Sequence, residues 1–188
     1  MKKLLSLILV AMLSIGAIAC SGNSVASSNA LTKKIEKICQ KEIFKIALDG
    51  KKINEAMKEA IEKMSDSEIK QAQENLPDLS FDISNFNSES STYTWLADAV
   101  KKGIKKAIDT GSLTQENVDQ LKGYLTLMGI SLPDIKVDKG LSDIDIDKLC
   151  EAFADVADRI TEPETLKAFG IDLSNPEIIN NLRKSAGF

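Results

Sequence analysis

Three cysteines, Cys20, Cys39 and Cys150, carry the most reactive side chains of this 188-residue chain. A serine or cysteine nucleophile is ordinarily activated by a histidine base, and the sequence contains no histidine. The same absence excludes histidine-ligated zinc sites, and three cysteines are too few for a four-cysteine zinc site. Neither a phosphate-binding loop nor a dinucleotide fingerprint is present. We therefore expect no catalytic residue, no metal site and no cofactor, and a protein that is not an enzyme.

Three aspartates, Asp143, Asp145 and Asp147, are spaced like the first ligands of a calcium-binding loop. Such a loop needs glycine at its sixth position and glutamate at its twelfth, where this chain has Lys148 and Ala154. We therefore interpret the aspartates as charges in the first turn of a helix, where the helix dipole favours them.

Two lysine pairs, Lys101-Lys102 and Lys105-Lys106, give a predicted helix a basic face. A basic face is suited to anionic lipid headgroups or to an acidic partner. The simpler interpretation is that these lysines are solvated.

Four aromatic residues, Phe81, Phe86, Tyr93 and Trp95, cluster in the least regular part of the sequence. Loops often carry binding residues, and tyrosine and tryptophan are effective interface anchors. The four are therefore our candidate partner-binding surface. The alternative is that they cover one end of the helical core.

Apolar residues at helical spacing predict the elements that hold these groups. Five such segments are residues 31–48, 52–64, 95–109, 115–128 and 143–160. A capping box at Ser65–Glu68, and prolines at 163 and 176, mark the starts of further helices. These patterns predict an all-α fold, a compact bundle of about five to seven amphipathic helices with short extended connections. Leu79–Ser84 alternates like a strand, and we expect it to be an extended arm lying on the helices.

The first 19 residues have the pattern of an export signal: a basic start, then an apolar run shorter than the ~20 residues that span a bilayer. The run ends in Ala17-Ile18-Ala19-Cys20, which resembles the signal peptide of the bacterial lipoprotein class with a relaxed lipobox. The resemblance implies cleavage before Cys20 and attachment of a diacylglycerol to its sulfur. The alternatives are release after Ala19 as a soluble secreted protein, or a retained membrane anchor.

The expected organisation is a signal peptide at 1–19, a lipidated Cys20 with a polar tether to 29, and a single helical domain at 30–188. If Cys20 is lipidated, Cys39 and Cys150 remain as a pair in an oxidising envelope. We hypothesise a disulfide between them, joining the first and fifth predicted helices. The alternative is two buried free thiols.

The expected function is a lipid-anchored bacterial envelope protein that acts as a non-enzymatic binding or scaffolding module with an unknown protein partner. Its place would be the outer membrane, on the periplasmic or surface face, in a Gram-negative cell. Loss of Lys2 and Lys3 with the signal changes the net charge from −4 to −6, which argues against a nucleic-acid partner. The alternatives are an envelope immunity or inhibitor protein against an exported toxin, or a carrier of an apolar ligand.

Overall fold

The residues that the structure describes form nine α-helices and one short 3₁₀ helix. The computed structural model describes residues 29–75, 79–127, 129–138 and 140–186, so Cys20, the signal and most of the tether lie outside the described residues. The α-helices are α1 Asn29–Cys39, α2 Glu42–Ala47, α3 Ile53–Glu62, α4 Asp66–Asn75, α5 Glu89–Asp109, α6 Gln115–Leu127, α7 Asp143–Ile160, α8 Pro163–Ala168 and α9 Pro176–Ala186. The 3₁₀ helix is Ile83–Phe86, and no β-strand occurs in these ranges. The predicted all-α bundle is confirmed.

Helices α1, α5 and α7 pack against one another and form the centre of the domain. On α1, the apolar residues Leu31, Ile35 and Ile38 follow one helical face, and each is at most 2% exposed. Helices α5 and α7 present similar stripes, so the three buried faces meet in one hydrophobic core.

Ion pairs fix the relative directions of these three helices. Lys34 and Lys37 on α1, and Lys41 just after α1, pair with Asp155, Asp158 and Glu162 respectively, always 121 residues further along the chain. A constant offset means that α1 runs parallel to the C-terminal half of α7. Lys101 and Lys105 on α5 pair with Asp147 and Asp143, in the reverse order, so α5 is antiparallel to α7.

Smaller elements surround this centre. Helix α3 and the 3₁₀ helix pack on α5, α8 packs on α7, and the C-terminal helix α9 packs on α2. The predicted capping box is confirmed: the amide of Ser65 donates to Glu68 over 2.9 Å, and the hydroxyl of Ser65 accepts from the Glu68 amide.

Two predicted boundaries are wrong. The segment 31–48 is divided at Gln40–Lys41, and the second part, α2, turns Phe44 into the core. Helix α5 begins at Glu89 rather than near 95, because Ser88 and Ser91 form a reciprocal cap at its start.

The segment Leu79–Asp82 is extended without pairing as a strand, and Leu79 and Phe81 are buried. It is the expected arm, but its last two predicted residues, Ile83 and Ser84, belong to the 3₁₀ helix.

Candidate functional site

The N-terminal half of α7 brings the aspartate run and the lysine pairs together. Ser142 caps α7 by accepting the amide of Asp145, so the aspartates lie in a first helical turn, as predicted. The Nζ of Lys101 lies 2.8 Å from Oδ1 of Asp147, and the Nζ of Lys105 lies 3.4 Å from Oδ1 of Asp143. Two of the three aspartates that resembled a calcium loop, Asp143 and Asp147, therefore pair with two of the four lysines of the predicted basic face.

That basic face is not a solvated surface, which corrects the simpler interpretation of the sequence. Lys101 and Lys106 are each only 3% exposed. Burial lowers the pKa of the Lys106 ammonium. Lysines without nearby acids rarely reach such burial, so the ion pair of Lys101 with Asp147 explains how α5 can carry Lys101 on a packed face.

The C-terminal half of α7 holds a second group of ion pairs, with α1 and with Lys41 just after α1. The carboxylate of Asp158 lies 2.6 Å from the Nζ of Lys37 and 2.9 Å from the Nζ of Lys41. Burial opposes ionisation of Asp158, but hydrogen bonds from these two lysines outweigh it and lower the pKa of the carboxyl. Burial also opposes the charge of Lys41, while bonds to Glu162 and Asp158 outweigh it and raise the lysine pKa.

These pairs assign the α7 carboxylates to helix packing. Within the described ranges, no group of three or more potential ligands is arranged to hold a metal ion. Asp143 and Asp147 pair with lysines of α5, and Asp155 pairs with Lys34 of α1. Asp158 pairs with Lys37 of α1 and with Lys41 just after it.

The predicted disulfide is not formed: Cys39 and Cys150 are free, buried thiols. The register explains why. The offset of 121 residues places Cys39 beside residue 160 of α7, about ten residues and ~15 Å along the axis from Cys150. A disulfide requires Cα atoms within ~7 Å. Burial raises the pKa of the Cys39 thiol to about 12 and raises that of Cys150 further still, so neither thiol ionises readily.

The four aromatic candidates lie in the core rather than on a binding surface. Phe81, Phe86, Tyr93 and Trp95 are all at most 6% exposed. Both phenylalanine rings pack edge-on to Trp95, with ring centroids 5.6 and 5.0 Å away. The indole Nε1 donates to the carbonyl of Ser80 over 2.6 Å, which fastens the extended arm to α5. The alternative interpretation, that these residues cover the core, describes them correctly.

Large apolar side chains do reach the surface on α6, a helix for which the sequence predicts no binding residue. Tyr124 is 68% exposed and Leu127 is 86% exposed. The two are three residues apart and therefore share a helix face. The core side of α6 is the stripe of Val118, Leu121 and Leu125. The sequence feature that indicates this exposed surface is that Tyr124 and Leu127 are large apolar residues outside the core stripe.

An open groove of about 560 Å³ lies between residues 134–142 and the first turns of α7. Apolar Ile135 and Leu141 line it, but charged residues share the lining. These include an ion pair of Lys136 with Asp138 at 2.6 Å. An open, charged groove differs from the enclosed apolar cavity that a carrier of apolar ligands needs.

Comparisons with protein-family models, curated protein sequences and solved structures find no significant match to this chain. Among the helices with described residues, none is both long and apolar enough to cross a bilayer.

Proposed function

We propose that this chain is a lipid-anchored envelope protein whose helical domain is a non-enzymatic module for binding or scaffolding a protein partner. The sequence Ala17-Ile18-Ala19-Cys20 and the polar residues after it support the anchor. The use of the α7 carboxylates in ion pairs between helices supports a role that does not depend on acid–base chemistry.

The observation that carries the binding proposal is the exposed pair Tyr124 and Leu127. Tyrosine is enriched at protein interfaces because one side chain offers a large apolar surface and a hydrogen-bonding hydroxyl. Leu127, at 86% exposure, makes little contact with its own domain. We define these two residues as the α6 surface, and propose that it contacts an apolar patch of the partner.

Photo-crosslinking in intact cells tests this proposal. A photoreactive amino acid at Leu127 is expected to give a discrete adduct with one partner protein, and the substitution Tyr124→Ser is expected to abolish that adduct. Because both residues are exposed, neither change should alter the fold.

A matched control places the photoreactive amino acid at Lys70, an exposed position on α4. We expect no discrete adduct there. Equal adducts at 127 and 70, an adduct that survives Tyr124→Ser, or no adduct at either position would each contradict a binding role for the α6 surface.

A further inference from the structure

The C-terminal helix α9 is attached to the domain more loosely than the central helices. None of residues 176–184 is fully buried, and the apolar side chains of Ile178, Ile179 and Leu182 are only half-buried. Its principal helical neighbour is the short helix α2. The helix is amphipathic, so its apolar residues contribute to stability only where another surface covers them.

Arg183 makes the polar contacts that join α9 to the end of α2. A guanidinium nitrogen of Arg183 lies 3.0 Å from Oδ1 of Asp49, and its Nε donates to the carbonyl of Ile46 over 3.4 Å. The carbonyl end of α2 favours a cation, so Arg183 is matched to this position in charge as well as in shape.

The start of α9 is stabilised without any help from α2. The side chain of Asn175 accepts the amide of Glu177 over 2.9 Å, and Pro176 occupies the first helical position. In the preceding connection, Asp172 accepts the amide of Ser174. These bonds are local, so α9 can leave α2 without losing its own N-terminal cap.

The connection from α8 to α9 is long enough to let the helix move. It comprises residues 169–175, which reach about 24 Å when extended. Gly170, the second residue of this connection, has a φ of +80° and turns the chain in a conformation that suits glycine.

We propose that the face of α2 covered by α9 is a helix-binding site, and that α9 of a second copy of this chain can occupy it. Every copy carries a helix with the matching apolar residues and Arg183, so reciprocal exchange forms a symmetric dimer from contacts that the single chain already makes. The exchange would allow the domain to scaffold copies of itself, and it does not depend on the lipid anchor.

Charge reversal of the Arg183–Asp49 pair gives a direct test. Asp49→Arg and Arg183→Asp each place like charges at the contact within one chain and between identical chains. Exchange between the two variants restores opposite charges at both contacts. Tagged and untagged full-length chains are co-expressed and extracted in mild detergent, and the untagged chain captured with the tagged chain is measured.

Capture of the complementary variants is expected to exceed capture of either identical pair by about tenfold. The identical pairs show how much capture results from two chains sharing a detergent micelle. Any strain caused by Asp49→Arg is present in the identical Asp49→Arg pair as well as in the complementary mixture. Equal capture in all mixtures would overturn the proposal.

A second variant tests the connection itself. Deletion of residues 172–174 shortens the connection so that α9 cannot easily return to its own α2, which should favour exchange. Light scattering is expected to show a larger dimer fraction than for the unmodified chain at the same concentration. A deletion variant that is folded but monomeric at every concentration would also overturn the proposal.

Discussion

Lys101 of α5 and Asp147 of α7 form an ion pair, with 2.8 Å between Nζ and Oδ1, in which the lysine side chain is only 4% exposed. Pairs at this depth differ from surface pairs, because removal of one partner leaves the other charge in a poorly solvated position. The contact therefore fixes the register of two central helices. It also explains how the lysine-bearing face of α5, predicted to be a basic surface, can pack against α7.

The substitution Lys101→Met is expected to lower the free energy of unfolding by about 3 kcal/mol, because Asp147 loses its countercharge. The double variant Lys101→Met/Asp147→Leu should recover most of that loss. The control Lys136→Met breaks an exposed pair with Asp138 and should cost less than about 0.5 kcal/mol. Chemical denaturation measures all three, and equal losses for Lys101→Met and Lys136→Met would contradict the packed role of Lys101.

Trp95 is the single tryptophan and reports on the aromatic cluster directly. At 5% exposure, its fluorescence should be blue-shifted and resistant to quenching by iodide until the protein unfolds. Trp95→Ala should cost about 3–5 kcal/mol, because Phe81 and Phe86 lose the ring between them. Tyr124→Ala, at an exposed site, should change stability by less than about 0.5 kcal/mol. Efficient quenching by iodide in the folded state would show that Trp95 is solvent-exposed and would contradict its place in the core.

The helices were predictable because their signal is local. The apolar residues of α1 repeat within one segment, and the cap at Ser65 involves residues three positions apart. The division at Gln40–Lys41 was not predictable, since no glycine or proline marks it. At this break Lys41 pairs with Asp158 and Glu162, and these partners cannot be identified from the local sequence because they are far away along the chain.

The candidate site was less predictable for the same reason. Two cysteines on apolar stripes indicate burial, but only the register of α1 against α7 shows that they are far apart. Lysines on one face of a helix indicate a solvent-exposed surface, unless the acidic residues that pair with them are known. The aromatic cluster was placed in a loop because the residues between Phe86 and Tyr93 are polar, although Ser88 and Ser91 form a helix cap.

Cys39 and Cys150 should resist thiol reagents in the folded protein. Burial raises the pKa of Cys39 to about 12, so almost no reactive thiolate is present at pH 8. Mass spectrometry after maleimide treatment should detect modification of both residues only in denaturant. A control cysteine introduced at the exposed Ser67 should react under native conditions. A mass that indicates an oxidised Cys39–Cys150 pair would contradict the free thiols.

Asp158 should make stability depend on pH in the acid range. Its carboxyl pKa is lowered in the folded protein, so its contribution is present above the unfolded pKa of about 3.9 and is lost as pH falls through the folded value. Asp158→Asn should cost about 2 kcal/mol at pH 7, and the difference from the unmodified protein should shrink progressively as the pH falls below about 5. The control Glu164→Gln, at an exposed position of α8, should follow the unmodified protein throughout. A difference that stays constant with pH would contradict this role of the carboxylate.

Cys20 is the residue on which the proposed anchor depends. Cys20→Ala is expected to abolish labelling by a fatty acid analogue and to release the protein from the membrane fraction, because several acyl chains on one residue give firm attachment. The matched control Ser21→Ala keeps the cysteine and should remain labelled and membrane-bound. Fractionation with metabolic labelling measures both properties. Absence of label on the unmodified protein, together with membrane retention of Cys20→Ala, would refute lipidation and favour a retained signal segment. Release of the unlabelled, unmodified protein would instead favour cleavage after Ala19.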